Sequence, residues 1–157
     1  IPGFKENLKI QFIGKTDYTV FEALESHQLN SSILKVDYLP HSEVFIEMVK
    51  SQVLLLAIND TPNVAGVIPG KIFEYIAVNR PILAIGPPEA DSGRIVIESK
   101  AGEVYDFKDY DGIKKAVVNY YNKYLEEKLT LDSSRSFEKY TRKNLAERYT
   151  QILNEIV

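Results

Sequence analysis

The sequence predicts an α/β domain in which a Rossmann-like, doubly wound parallel sheet carries flanking helices. Two hydrophobic periods alternate along its 157 residues, because short strand-like segments are followed by segments whose apolar residues recur at helical spacing. One strand-like segment, Gln52–Ile58, is apolar after its first residue, which is typical of a strand buried on both faces of a parallel sheet. This alternation favours parallel strands joined by right-handed crossovers.

The individual elements follow from these patterns and from the turn residues between them. Strands are predicted over Leu8–Ile13, Ile33–Tyr38, Gln52–Ile58, Pro81–Ile85 and Glu103–Asp106. Helices are predicted over Thr19–Gln28, from an N-cap at Ser42, over Gly70–Val78, over Ala90–Lys100, and over Tyr110–Glu127 after an N-cap at Asp109.

The domain organisation is predicted to be simple. Residues 1–129 form the Rossmann-like domain, and the polar stretch 130–136 is the one linker-like segment. Residues 137–157 are predicted to form a C-terminal amphipathic helix. Its apolar stripe comprises Phe137, Tyr140, Leu145, Tyr149, Ile152, Leu153 and Ile156.

The composition excludes several functional classes. Hydrophobic residues make up 45% and charged residues 26%, the balance of a globular domain, and a formal net charge of −3 gives no footprint for nucleic acid. The chain has no cysteine and only 2 histidines, which excludes thiol catalysis and leaves little for a metal centre. No apolar run approaches the roughly 20 residues of a membrane helix. We therefore expect a cytoplasmic chain without a metal site, nucleic-acid partner or direct membrane contact.

The loop after the third strand carries the strongest candidate site, since ligands of open parallel sheets bind outside the carboxyl ends of the strands. Gly66 and Gly70 let the backbone approach a ligand, and the helix start offers N–H groups that favour phosphate. Lys71 adds a positive charge, and Glu74 can accept two hydrogen bonds from a vicinal diol such as that of ribose. The alternative is an ordinary surface pair between Lys71 and Glu74 at i, i+3.

Helical spacing divides the helix after this loop into two faces. The buried face is predicted to hold Ile72, Phe73, Ile76 and Ala77. Lys71, Glu74 and Val78 fall on the opposite face, where the two charged groups remain available to a ligand.

Other candidates carry less information. His41 follows a strand end, where a base pocket and a capping or exposed role fit the sequence equally well, and His27 is expected at the surface near a helix end. Gly14-Lys15 falls far short of a dinucleotide fingerprint or a P-loop. Glu89 and Asp91, after the fourth strand, have the chemistry to bind sugar hydroxyls or simply to be solvated.

The acidic stretch 106–112 suggests a calcium loop but fails the register test. If Asp111 and Gly112 take the fifth and sixth positions, Phe107 and Val118 fall at the first and twelfth, and neither can bind calcium. Asp109 is better explained as a helix cap.

The segment Gly66–Ala77, followed by Arg80–Ala84, resembles the donor-site signature of retaining glycosyltransferases of the GT-B architecture, which have two Rossmann-like domains. It is similar to the glycosyltransferase group 1 family, which uses nucleotide-activated sugars. The likeness extends along most of the chain. Shorter matching segments are Phe12–Lys15, Tyr38–His41, Asn59–Asn63 and Tyr140–Leu145.

This resemblance implies roles for the matching residues. Glu74 would hold the donor ribose, and Lys71 would act as the catalytic cation that stabilises the departing diphosphate. Further contacts to the diphosphate or donor sugar would come from Val67, Ile68, Pro69 and Gly70. The base contacts would come from Tyr38, Leu39 and His41, and Gly14 and Lys15 would complete the site. The resemblance implies a UDP- or GDP-sugar as donor substrate, with no permanently bound cofactor.

Two departures from the family pattern narrow these implications. Position 66 is a glycine where many members carry a glutamate that contacts the donor sugar. By the same resemblance, we expect the chain to enter the domain at its second strand, without the first strand and its basic glycine-rich loop, and without the acceptor-binding N-terminal domain. We therefore expect the chain alone to be inactive. The intact enzyme would serve bacterial surface polysaccharide or lipopolysaccharide synthesis, and a peripheral position at the inner membrane face stays open for it.

Two other hypotheses remain open. A sugar-nucleotide epimerase of the same architecture shares the donor-site logic and differs in residues outside the chain. A non-catalytic α/β regulatory module, such as a phosphoacceptor receiver domain, needs an aspartate at the end of a central strand beside acidic magnesium ligands. The third strand here ends Ala57-Ile58-Asn59-Asp60 and no acidic pair follows Ile13, which favours the transferase.

Overall fold

The computed structural model describes residues 1–129 and 137–156, and it confirms the α/β class with parallel sheets and flanking helices. The strands are β1 (Ile10–Ile13), β2 (Ile33–Val36), β3 (Leu54–Ala57), β4 (Ile82–Ile85) and β5 (Gly102–Tyr105). The α-helices are α1 (Phe4–Asn7), α2 (Tyr18–Ser26), α3 (His41–Lys50), α4 (Lys71–Ala77), α5 (Asp91–Glu98), α6 (Tyr110–Leu125) and α7 (Arg142–Ile156). Short 3-10 turns cover Asn30–Ser32, Val64–Gly66 and Glu138–Tyr140. The predicted linker 130–136 and Val157 lie outside the described residues.

These elements fall into two compact units, Ile1–Glu47 and Met48–Val157. In the first unit, β1 and β2 pair in parallel, with Ile13 opposite Val36. The Gly14 N–H continues this ladder by donating to the Val36 carbonyl oxygen at 3.0 Å. The residues that follow β1 and β2 therefore share one edge of this two-stranded sheet.

Aromatic contacts hold α2 against the sheet of the first unit. Phe12 of β1 and Phe21 of α2 meet edge to face, with ring centroids 5.3 Å apart. The Lys35 ammonium lies 3.6 Å from the Phe21 ring centroid, a cation–π contact. Asp17 caps α2 by accepting the Thr19 N–H at 2.9 Å, and this hydrogen bond lowers the pKa of Asp17.

The second unit is built on a parallel sheet with the strand order β3-β4-β5. One face of the central strand β4 contributes Ile82 and Ala84 to the main core, while Leu83 on the other face packs with Ala116 and Tyr120 of α6. The main core comprises Leu56, Ile58, Ile72, Ile76, Ile82, Ala84, Ile95, Val96 and Ala101. Helices α4 and α5 thus cover one face of β4 and α6 covers the other. Because the three strands are parallel, the loops that follow them meet at a single sheet edge.

Strand β3 corrects the prediction of burial on both faces. Leu54 and Leu56 are buried, whereas Leu55 is 49% exposed and Ala57 is also exposed. β3 is an edge strand of its sheet, whereas β4 is the central strand and is covered on both faces. A continuous apolar run does not by itself distinguish a central strand from an edge strand.

The start of α3 corrects the predicted N-cap at Ser42. The helix already begins at His41, and the Pro40 carbonyl accepts the N–H groups of Glu43 at 2.9 Å and Val44 at 3.1 Å. The first N–H groups of the helix thus donate to the backbone carbonyl of Pro40. Ser42 therefore lies inside the first turn and not at the N-cap.

The predicted N-cap at Asp109 is confirmed. Its carboxylate accepts the Gly112 N–H at 2.9 Å at the start of α6.

The C-terminal helix begins later than predicted, because Glu138–Tyr140 form a 3-10 turn and α7 starts at Arg142. Phe137 and Tyr140 therefore do not belong to its apolar stripe. Tyr140 instead packs against the main core of the second unit.

An ion pair holds this 3-10 turn against α5. Lys139 donates a hydrogen bond to the Glu98 carboxylate, and the Tyr140 hydroxyl lies 3.4 Å from the same carboxylate. The hydrogen bond and charge of Lys139 lower the pKa of Glu98. The hydrogen bond to Glu98, followed by one to Tyr140, raises the pKa of Lys139.

We expect Gly102→Ala to destabilise the second unit. A Cβ at position 102 would lie 1.9 Å from the Ile82 carbonyl oxygen, a backbone atom that cannot yield without separating β4 from β5. The free energy of unfolding, measured by urea titration, should fall by about 2 kcal/mol or more. Gly66→Ala is the matched control, because a Cβ there meets no atom within 4 Å. Equal losses for both variants would contradict this account.

We expect Glu98 to titrate below its ordinary pKa of 4.5 in the folded chain. A lowered folded-state pKa means that the ion pair adds stability above the unfolded pKa, and that this stability is lost as pH falls through the folded pKa. Carboxyl-carbon NMR should show the pKa of Glu98 rising in Lys139→Met. Lys143→Met, which removes the Lys143–Glu147 pair instead, should leave it unchanged. A Glu98 pKa unaffected by Lys139→Met would refute the pairing.

Candidate functional site

The candidate site is the loop that connects β3 to α4. This loop passes through the 3-10 turn Val64–Gly66 and reaches α4 with Gly70 at the N-cap position. Ile72 and Ile76, one turn apart, are buried in the main core and fix which side of α4 faces inward. Burial of such a side chain is worth about 1.5–3 kcal/mol, so this face of α4 is firmly set.

The buried stripe of α4 is narrower than predicted. Phe73 is 38% exposed and Ala77 is also exposed, so neither belongs to the buried face. Because α4 has only 7 residues, its contact with the core is a single line made by Ile72 and Ile76. Side chains on either side of that line stay partly exposed to solvent. The Phe73 ring meets Tyr140 instead, with centroids 5.8 Å apart.

The backbone of the loop leaves several donors available. Within the described part of the chain, the N–H groups of Ile68, Gly70 and Lys71 donate to no backbone oxygen. The next two amides are used locally, since the Ile72 N–H donates to the Pro69 carbonyl at 3.0 Å and the Phe73 N–H to the Gly70 carbonyl at 3.3 Å. The donors thus lie in the loop and at the first helical residue, where the sequence predicts phosphate contacts.

The glycines of this loop are not required by packing. A Cβ at Gly66 or at Gly70 would meet no atom within 4 Å. At Gly93 a Cβ would lie 2.5 Å from the Pro88 carbonyl oxygen, and at Gly102 it would overlap the neighbouring strand. Open space therefore lies beside the backbone at both loop glycines. Gly93 and Gly102, in contrast, must be glycines because a Cβ would clash with the backbone nearby.

Lys71 and Glu74 lie on the side of α4 away from Ile72 and Ile76. Lys71 is exposed, and Glu74 is half-buried. Burial, with a smaller contribution from the Glu74 charge, raises the pKa of Tyr75.

The remaining predicted residues belong to the first unit. Gly14 and Lys15 follow β1, and Tyr38 and Leu39 follow β2, so these pairs share one sheet edge. Tyr38 is 86% exposed and Lys15 is also exposed, while Leu39 is half-buried. Gly14 has φ 84°, in the left-handed region that favours glycine.

The two histidines lie on helices of the first unit or at their ends. His41 is the first residue of α3, and its ring meets Phe45 edge to face with centroids 5.0 Å apart. His27 follows α2 as its C-cap, and its Nδ1 lies 2.8 Å from the Ala23 carbonyl oxygen. The expectation of an exposed histidine at a helix end is confirmed for His27.

The predicted site thus falls into two groups. Val67, Ile68, Pro69, Gly70, Lys71 and Glu74 lie within one loop and helix start of the second unit. Gly14, Lys15, Tyr38, Leu39 and His41 lie at one edge and one helix start of the first unit.

The sequence analysis missed one feature next to the loop after β4. Glu89 and Asp91 are exposed there, as a solvated loop would be, but Ser92 is fully buried. Its hydroxyl has no hydrogen-bond partner in the portion of the chain that the structure describes. The serine at the start of an apolar helical pattern could have signalled an N-terminal role, but its burial depends on tertiary packing.

A tyrosine–glutamate network lies away from the loop, between β5 and α6. The Tyr105 hydroxyl donates to Glu103 at 2.5 Å, and burial followed by this hydrogen bond raises the pKa of Tyr105 to about 12. The pKa of Tyr120 is raised by burial and by Glu103. These protonated phenols donate hydrogen bonds and have a structural role.

Residues 1–129 and 137–156 contain no cluster of three or more His, Cys, Asp or Glu side chains that would suit a metal ion. They also contain no helix with the length and apolar character needed to cross a bilayer.

No protein-family model matches the chain, and no curated protein matches it.

We expect Tyr140→Ala to loosen the outer side of α4 by removing the ring that covers Phe73. The free energy of unfolding should fall by about 1–3 kcal/mol, the scale for a partly buried aromatic ring. Tyr140→Phe keeps the ring and removes the exposed hydroxyl contacts to Glu98, at 3.4 Å, and to Lys139, so it should lose less than about 0.5 kcal/mol. Urea titration of both variants measures the difference. A loss as large for phenylalanine as for alanine would assign the effect to the hydroxyl.

Proposed function

We propose that the loop 67–71 and the first turn of α4 bind the diphosphate and ribose of an activated sugar, as the donor site of a retaining glycosyltransferase. One observation carries this proposal: amide donors without a backbone acceptor, an exposed ammonium and a half-buried carboxylate occur within a single loop and helical turn. Ile68, Gly70, Lys71 and Glu74 supply these groups.

The amides and the ammonium suit a diphosphate. Backbone N–H groups donate to phosphate oxygens without a rotamer cost, and a lysine adds a mobile positive charge. The amides of Ile68, Gly70 and Lys71 have no acceptor in the described backbone, so a phosphate would satisfy donors that the fold leaves open. Gly66 and Gly70 support this assignment, since no atom of residues 1–129 and 137–156 lies within 4 Å of the places where their Cβ atoms would be.

The carboxylate suits a ribose diol. Glu74 lies three residues after Lys71, on the same side of α4, and its two oxygens can accept from adjacent hydroxyls. The diphosphate and ribose of a nucleoside diphosphate are covalently adjacent, so neighbouring cationic and acidic groups match the order of charge along this ligand.

The same arrangement has a use in glycosyl transfer. When the bond between the anomeric carbon and the diphosphate breaks, negative charge grows on the leaving diphosphate. Donors and a cation already in place stabilise that charge without reorganising. Lys71 would therefore contribute more in the transition state than in the ground state. The acceptor would be supplied by another part of the intact enzyme.

We expect the chain to bind UDP, GDP or ADP with a dissociation constant of about 1 mM or tighter. Glu74→Gln should weaken the binding by about 1–3 kcal/mol, because it replaces charged hydrogen bonds to the ribose diol by neutral ones. Isothermal titration calorimetry with all three nucleotides measures both effects. An affinity unchanged by Glu74→Gln would remove Glu74 from the ribose.

A second pair of variants separates the phosphate contacts from the ribose contact. Lys71→Met should weaken the binding of inorganic pyrophosphate and of the nucleoside diphosphate alike. Glu74→Gln should weaken only the binding of the nucleotide. Lys115→Met and Glu22→Gln, on exposed positions of α6 and α2, are the matched controls and should change neither affinity. If none of the three nucleotides binds at about 5 mM, the proposed donor site is excluded.

A further inference from the structure

Helix α7 carries an apolar stripe that the described residues leave exposed. In the described residues, none of its side chains is buried. The stripe comprises Leu145 (46% exposed), Tyr149 (64%), Ile152 (48%), Leu153 (44%) and Ile156 (76%). The spacing i, i+4, i+7, i+8, i+11 places these side chains on one face of the helix.

The stripe follows a heptad pattern through the whole of α7. The a positions are Arg142, Tyr149 and Ile156, and the d positions are Leu145 and Ile152. The b, c and f positions are all polar: Lys143, Asn144, Glu147, Thr150, Gln151 and Asn154. The Lys143–Glu147 pair, at 4.0 Å, joins a b and an f position on the outer face. A helix with this pattern is suited to pack against one other helix.

The a and d positions make α7 complementary to an antiparallel copy of itself. If Tyr149 packs against the partner's Ile152, the same register places Leu145 against the partner's Ile156. Two-fold symmetry repeats both contacts, so the seam has four apolar layers, and the a residue Arg142 lies beyond these layers at each end.

The flanking positions agree with this register. In an antiparallel pair, g positions face g positions and e positions face e positions. Arg148 and Glu155 are the g residues, so Arg148 faces the partner's Glu155 twice, once in each direction. Ala146 and Leu153 are the e residues, so a small and a large apolar side chain meet on the other flank.

A parallel pairing is disfavoured by the same residues. It would place Arg142 opposite the partner's Arg142 at an a layer, and it would bring Arg148 beside the partner's Leu153. The antiparallel pairing avoids both contacts and also opposes the two helix dipoles.

We propose that α7 is a self-association surface, and that two copies of this chain pair through their α7 helices in antiparallel orientation with Arg148 facing the partner's Glu155. A pair of 15-residue helices buries little area compared with the roughly 1,000 Å² of a stable interface. The dimer is therefore weak and forms in proportion to concentration. This inference is independent of the proposed nucleotide site.

Sedimentation equilibrium of the 157-residue chain tests the surface. The wild type should show a monomer–dimer equilibrium, and Ile152→Glu should raise its dissociation constant by more than about tenfold by placing a charge in the seam. Asn154→Glu, at an f position on the outer face, is the matched control and should leave the constant unchanged. Chains that stay monomeric at about 1 mM, or a dimer insensitive to Ile152→Glu, would overturn the proposal.

Charge reversal tests the partner and the orientation, and because it alters exposed residues it does not threaten the fold. Arg148→Glu and Glu155→Arg should each weaken self-association by about tenfold, because two attractive contacts become repulsive. The double variant should recover the wild-type constant. A mixture of the two single variants should form heterodimers in preference to either homodimer, as measured by native mass spectrometry. Failure of the double variant to recover, or an unbiased mixture, would contradict the antiparallel self-pairing.

Discussion

Burial of Ile72 and Ile76 in the main core is the contact on which the proposed site depends. These two side chains lie one turn apart on α4 and attach the helix to the sheet of the second unit. Their burial determines that Lys71 and Glu74 lie away from the core, and it keeps the loop before the helix at the edge where β3, β4 and β5 end. The chemistry proposed for the loop is therefore a consequence of packing on the other side of a 7-residue helix.

Glycine positions separate structural from functional demands in this fold. At Gly102 a side chain would strike the backbone of β4, so the residue is required by strand pairing alone. At Gly66 and Gly70 the space beside the backbone is open, and no contact of the described chain accounts for the missing side chain. Together with the loop amides, this open space is where the proposed diphosphate would lie.

The order of strands and helices could be predicted because each element carries its own local period, and Asp109 could be identified as a cap because capping is local. The predictions that were wrong concern features that tertiary neighbours determine, such as the exposure of a side chain. Leu55 is exposed because β3 is at a sheet edge, and Phe73 is exposed because the buried line of α4 is narrow. Tyr140 lies outside the C-terminal helix, contrary to the prediction. Its ring packs against the main core, and the adjacent Lys139 forms an ion pair with Glu98 of α5. In the candidate site, Lys71 and Glu74 could be placed from helical spacing, whereas the buried hydroxyl of Ser92 could not.

The most direct measurement of the central claim is an amide NMR titration of the chain with inorganic pyrophosphate and with UDP. We expect both ligands to cause their largest amide chemical-shift changes at Ile68, Gly70 and Lys71. The N–H groups of these residues have no backbone acceptor in the described chain. The amide of Glu74 should respond to UDP and not to pyrophosphate. Changes centred on the start of α5 or elsewhere, with the three loop amides unmoved, would contradict the assignment of the donor site.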